Sequence, residues 1–226
     1  MAGAHSHVSY NIKTRGAWEP GLVRSVVNLL ADARLKHPAF PHGLVMDMGA
    51  NLGQYSLAAA AMGFYSIVIE PIPEHVEMIA RSVVMNGLES RAFLFRNALS
   101  SSRHTQRFTV DASNKGGSGF VPDSGHARHI DVDVITLDDL LPRIKELGDL
   151  NISWFKADVE GFEPYVFQGA PKLFAHARPE HLQFELQGWS FARTGVRLPP
   201  SFSLYVLKDV IVLMLGPHAR TRARGL

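Results

Sequence analysis

Cysteine is absent from all 226 residues. Its absence removes disulfides, thiolate metal sites and cysteine nucleophiles in a single step. Charge of one sign is also scarce: 23 lysines and arginines face 21 aspartates and glutamates, a formal net charge of +2. The one concentration of positive charge, HARTRARGL at the end, carries no interleaved aromatics. It reads as a solvated tail, and no nucleic-acid partner is expected. Long apolar runs are missing too. The most apolar stretch, LYVLKDVIVLML, holds Lys208 and Asp209 and is too short to span a bilayer, and MAGAHSHVSYNIKTRG has no apolar signal core. A soluble, cytoplasmic protein with no membrane span is the expectation.

What is present is ordinary for a globular chain: 46% apolar and 19% charged residues. The length suits one α/β domain. The organisation reads as an N-terminal segment and helix over 1–43 and a main domain over 44–226, with a tail from about 215. In WEPGLVRSVVNLLADARL, Leu22, Val26, Leu29 and Leu30 share one helical face, and Pro38 and Pro41 then break the chain. From Leu44 onward short apolar runs alternate with helical stretches, the pattern of a parallel sheet with helices on both faces.

LVMDM reads as a buried strand, GANLG as a tight turn and QYSLAAAAMG as a helix closed by Gly63. YSIVIEP is the second strand. The helix from Pro73 keeps Val76, Ile79, Ala80, Val83 and Val84 on one face and stops at Asn86 and Gly87. RAFLFRNAL reads as a third strand, followed by antiparallel or extended additions, RFTVDASNKGGSGFV and HIDVDVITL, joined by a glycine-rich loop. Thr136 and Asp139 resemble a capping box for LDDLLPRIKEL, which Pro142 shortens or bends. ISWFKAD and HLQFEL are the fourth and fifth core strands, with a helical stretch broken near Gly169 between them.

The turn after the first strand can bring a ligand close to the backbone, because Gly49 and Gly53 have no Cβ. Glu70, at the carboxyl end of the second strand, can accept hydrogen bonds from both ribose hydroxyls of a nucleoside cofactor. A dinucleotide turn favours G-x-G-x-x-G so that a pyrophosphate rests on helix amides; G-A-N-L-G instead has Asn51 at its middle position. The turn suits a sulfonium cofactor without phosphate, with Asp47 and Asn51 as partners for its ammonium and carboxylate. An NAD-dependent oxidoreductase and a noncatalytic cofactor-binding module remain as rivals.

FKADVEGFEP places Asp158, Glu160 and Glu163 just beyond a buried strand, at the edge where open α/β sheets bind ligands. A carboxylate there can orient the sulfonium or take a proton from an accepting hydroxyl. Glu163 stands between such a role and capping the next helix. Lys156 shares a strand face with Asp158 and can pair with a carboxylate or, if desolvated, act as a base. The sequence fixes no octahedral ligand set, and no metal is expected. His126 and His129 lie in the inserted region, where exposed loop histidines are the ordinary outcome.

In order, GAWEP, VMDMGANLGQYS, VIEPIPE, MNG, RNALS, VITLDDLL, FKADVEGFE, FQGAPKLF and LQFEL resemble the FkbM family of methyltransferases from Gly16 to about Leu186. The resemblance implies a class I methyltransferase fold, a seven-stranded Rossmann-like sheet binding S-adenosylmethionine and serving transfer to a hydroxyl of a small-molecule or glycan acceptor. It implies cofactor contact for Asp47, Gly49, Ala50, Asn51, Gly53, Glu70 and Pro71, with Asn97 and Ala98 near the adenine. Asp158 and Glu160 become the active-site acids, Asp158 also touching cofactor, with Lys156 beside them. The family ends in an antiparallel hairpin, and the segment after Leu186 does not align with it, so an incomplete or altered hairpin is expected. Oligomeric state is left open.

Overall fold

The computed structural model describes residues 7–36, 43–110, 128–148, 151–185, 202–207 and 210–215. Two helices come first, α1 (His7–Arg15) and α2 (Pro20–Lys36); the sequence pattern anticipated only the second. The parallel core then alternates strands and helices: β1 (Leu44–Met48), α3 (Gln54–Ala61), β2 (Tyr65–Ile69), α4 (Pro73–Met85) and β3 (Ala92–Phe95). β4 (Ala98–Leu99), β5 (His104–Val110) and β6 (Arg128–Ile135) follow. A 3₁₀ turn (Leu137–Leu140) leads into α5 (Leu141–Glu146), β7 (Ile152–Ala157), α6 (Glu163–Gln168), α7 (Pro171–His176) and β8 (His181–Glu185). β9 (Phe202–Leu207) and β10 (Val210–Leu215) end the described chain.

Seven strands form one sheet in the order β3-β2-β1-β7-β8-β10-β9. β3, β2, β1, β7 and β8 pair in parallel, and β10 joins β8 and β9 antiparallel. The wholly apolar look of β1 and β7 follows from cover on both faces. Strand alternation sends Leu44, Met46 and Met48 into one layer with Ile144, Val166 and Leu173, while Val45 and Trp154 meet α2 and α3 through Val26, Leu30 and Ala59. Asp47 and Lys156, directly opposite each other in the β1–β7 register, fall on that second face.

Three expectations are corrected. RAFLFRNAL is not one strand: it breaks after Phe95, so β3 ends the large sheet while β4 pairs with β6 in a second sheet ordered β4-β6-β5. The C-terminal hairpin is neither missing nor a single strand or helix, because the apolar run divides at Lys208 and Asp209 into β9 and β10, each register-matched to a neighbour. On α4 the inward stripe is His75, Ile79 and Val83, whereas Ala80 is exposed and Val84 is 64% exposed. The helix starts rotated toward the strand end, so a histidine takes the place expected for an apolar residue. The tail beyond 215 and His126 lie outside the described residues.

Candidate active site

The site is assembled where β1, β2 and β7 end, the edge at which parallel α/β sheets bind ligands. The turn after β1 holds Gly49 (φ 79°), Asn51 (φ 55°) and Gly53 (φ 72°) in the left-handed region, which glycine and asparagine tolerate best. Gly49 N and Ala50 N both donate to Ile69 O at 3.0 Å, stitching the turn to β2. The glycines serve packing rather than the ligand approach expected of them. A Cβ on Gly49 would lie 1.9 Å from Asp158 O, the backbone of the opposite turn, and one on Gly53 would lie 3.1 Å from the Ile79 side chain.

Behind the turn is a buried ionic cluster. Asp47 is fully buried; one carboxylate oxygen accepts a hydrogen bond from Ser56 Oγ, and the other, Oδ1, has no hydrogen-bond partner. Lys156 Nζ lies 3.7 Å from that Oδ1, 3.1 Å from Asp158 Oδ2 and 3.0 Å from Gly49 O, to which it donates. Burial works against its ammonium, but the Asp158 and Asp47 carboxylates outweigh burial and hold the Lys156 pKa above the ordinary lysine value. Lys156 is therefore a fixed cation tying the β1 turn to the β7 turn, the pairing alternative of the two open to it. Its ammonium also lies 5.8 Å from the centre of the Tyr55 ring, and burial pushes the Tyr55 phenol well above its usual range.

An open pocket lies in front of this cluster. Of the residues singled out from sequence, Gly49, Asn51, Glu70, Pro71, Asn97, Ala98, Asp158 and Glu160 line it. Asp47, Ala50, Gly53 and Lys156 stand behind its wall; Ala50 packs with Ile79 and Val68. Glu70 is nearly buried, accepting from Asn51 N at 2.8 Å and Ile72 N at 3.1 Å, with His75 Nδ1 at 3.2 Å. Asn97 Nδ2 donates to Asp133 O at 3.0 Å, tying the pocket wall to β6. The Asp158 side chain is 40% exposed, which leaves it the accessible acid of the Lys156 cluster.

Glu163 resolves to the structural side of its two alternatives. It is fully buried beneath the β7–α6 loop, accepting from Val159 N at 2.9 Å and Gly161 N at 3.3 Å, and burial raises its pKa against those bonds. It thus braces the loop in which Glu160 adopts φ 54° and Gly161 φ 91°. Sequence reasoning missed His75, Phe108 and Phe162, which also line the pocket. His75 had a usable signal in its place on the first turn of a helix that starts at a strand end; Phe108, from an inserted strand, had none. Among the described residues no group of three or more acidic or histidine side chains is arranged to hold a metal, and no helix is long and apolar enough to cross a membrane.

A largely parallel seven-stranded sheet of this order, closed by an antiparallel hairpin and carrying a glycine turn and acids at its carboxyl edge, is the class I methyltransferase fold. Within that class, the family described as Methyltransferase FkbM domain matches residues 47–214, and the chain belongs to this family. Among solved structures it is similar to a methyltransferase FkbM from Methylobacillus flagellatus, with a TM-score of 0.52 and 16% identity over 76% of this chain and 43% of that one. It is also similar to the METTL16 MTase domain (TM-score 0.48, 12% identity, 86% of this chain and 66% of that one). TrmN from Thermus thermophilus follows at 0.44 and 16%, covering 87% and 48%. The chain spans less than half the length of the FkbM structure, whose likeness is one of fold. No curated protein matches it.

Proposed function

We propose that the chain is an S-adenosylmethionine-dependent methyltransferase acting on a hydroxyl oxygen of a small-molecule or glycan acceptor. The observation that carries this reading is convergence: the Gly49–Asn51 turn, Glu70 and the acids Asp158 and Glu160 surround one pocket at the sheet edge. When bound, S-adenosylmethionine supplies an electrophilic methyl group on a sulfonium. The residues present suit it. Asp47 Oδ1, buried without a hydrogen-bond partner at the base of the turn, is a place for an ammonium, and Glu70 is an acceptor for the ribose. Asn97 and Ala98 flank the side assigned to adenine.

Asp158 accepts the hydrogen of the acceptor hydroxyl as its oxygen attacks in line, and Glu160 stands beside it in the pocket wall. Lys156 holds Asp158 in place and balances Asp47, which keeps two carboxylates together without a metal. Membership of the family supports the donor; the exposed acid beside the pocket supports a protic acceptor.

Calorimetry with S-adenosylmethionine, S-adenosylhomocysteine and NAD tests the donor; tight NAD binding without S-adenosylmethionine binding would sink it. Labelled methyl transfer to a panel of sugars, polyketides and peptides tests the acceptor. Asp158→Asn is expected to lower transfer at least about 100-fold. If wild type binds the cofactor yet is as inert as the variant toward every acceptor, the noncatalytic module is the better description.

A further inference from the structure

Glu70 does not hold its position unaided. The carboxylate is 4% exposed and takes hydrogen bonds from three directions: Ile72 N and His75 Nδ1 on Oε1, and Asn51 N on Oε2. An ionised carboxylate only accepts, so Nδ1 is the ring nitrogen that carries hydrogen toward it. His75 is itself 2% exposed and heads the buried stripe of α4, one turn before Ile79 and two before Val83. Where the later members of that stripe meet apolar side chains, its first member meets a carboxylate. Glu70 and His75 line the same pocket.

A carboxylate offers about four acceptor positions. Three are engaged, two on Oε1 and one on Oε2, so one remains, on Oε2. This narrows the expectation that Glu70 receives both ribose hydroxyls. It also gives the imidazole a task that Ile72 N cannot perform alone, since two donors on one oxygen set the rotation of the carboxylate and hence the direction of the remaining position.

The geometry points to His75 as a positioning residue for nucleoside recognition: it locks Glu70 so that the one open acceptor position on Oε2 is presented to a ribose hydroxyl in the pocket. His75 acts through Glu70 and rests on the methyl-donor reading given above. Its contribution is preorganisation, which strengthens binding by removing the cost of ordering the carboxylate when ligand arrives.

The test compares binding of S-adenosylhomocysteine and of its 2′,3′-dideoxy analogue, measured by calorimetry on the full chain. Asn at position 75 can place an amide donor near the Nδ1 position, whereas Gln carries its donor farther out, nearer Nε2; both are polar and of similar bulk. His75→Gln is expected to weaken S-adenosylhomocysteine about 10-fold and His75→Asn by no more than about 3-fold. Both variants should bind the dideoxy analogue as wild type does, because the effect runs through the hydroxyl. Unchanged affinity in His75→Gln, or equal weakening toward both compounds, overturns the proposal. Thermal midpoints show whether both variants fold; loss of the fold in both would make His75 a core residue and nothing more. Wild type that fails to take up S-adenosylhomocysteine at all would overturn the methyl-donor reading, and this inference with it, an outcome distinct from the others.

Discussion

Two single residues show how closely the β1 and β7 turns are joined. Gly49 combines a left-handed backbone with contact against Asp158 O, so any side chain is blocked by both conformation and space. Gly49→Ala is expected to cost more than about 4 kcal/mol in urea unfolding and to abolish cofactor binding, because relief requires moving the Asp158 loop. Lys156 is the second. Lys156→Met removes the cation between two carboxylates, and the fully buried Asp47 is left with Ser56 as its only printed donor. Stranding a buried charge costs about 3–5 kcal/mol. A variant that unfolds at the wild-type urea concentration would show that the cluster does not support the turn.

At the scale of elements, the 3₁₀ turn before α5 ties the two sheets together. Thr136 and Asp139 form the capping box, and Thr136 N donates to Asp139 Oδ2 at 2.9 Å. Asp138 reaches across to α7, accepting from Leu173 N at 2.8 Å. Thr136→Ala is therefore expected to cost about 1 kcal/mol. Arg103, 2.6 Å from Asp139, holds that carboxyl at about 2, below its ordinary 3.8. The folded-state value is the depressed one, so this contribution to stability is complete above 3.8 and is lost as pH falls toward about 2. Asp139→Asn should flatten the acid limb of the stability profile across that window; denaturation midpoints measured from pH 5 to pH 2 that fall in parallel for variant and wild type would refute it.

For the whole molecule, the antiparallel hairpin closes one side of the sheet, with β10 covering the edge that β8 would otherwise present. A chain ending before Phe202 should leave that edge unpaired and aggregate on expression. Ligand binding gives a complementary test: S-adenosylhomocysteine at 100 times its dissociation constant should stabilise the intact chain by about 2.7 kcal/mol, read as a raised thermal midpoint. Much of this architecture is legible in the sequence. The apolar runs of β1, β2, β7 and β8, the glycine turn and the acids after β7 follow from short-range pattern, because burial on both faces and a left-handed turn each leave a local record in residue type. Tertiary structure alone decided the rest: that Lys156 meets Gly49 O from 107 residues away, that Gly49 yields to the Asp158 backbone, that His75 faces Glu70, and that LYVLKDVIVLML splits into two paired strands. The physical reason is common to all four. A segment's periodicity records how much of it is buried, whereas partner, register and direction are fixed only when distant segments pack against one another.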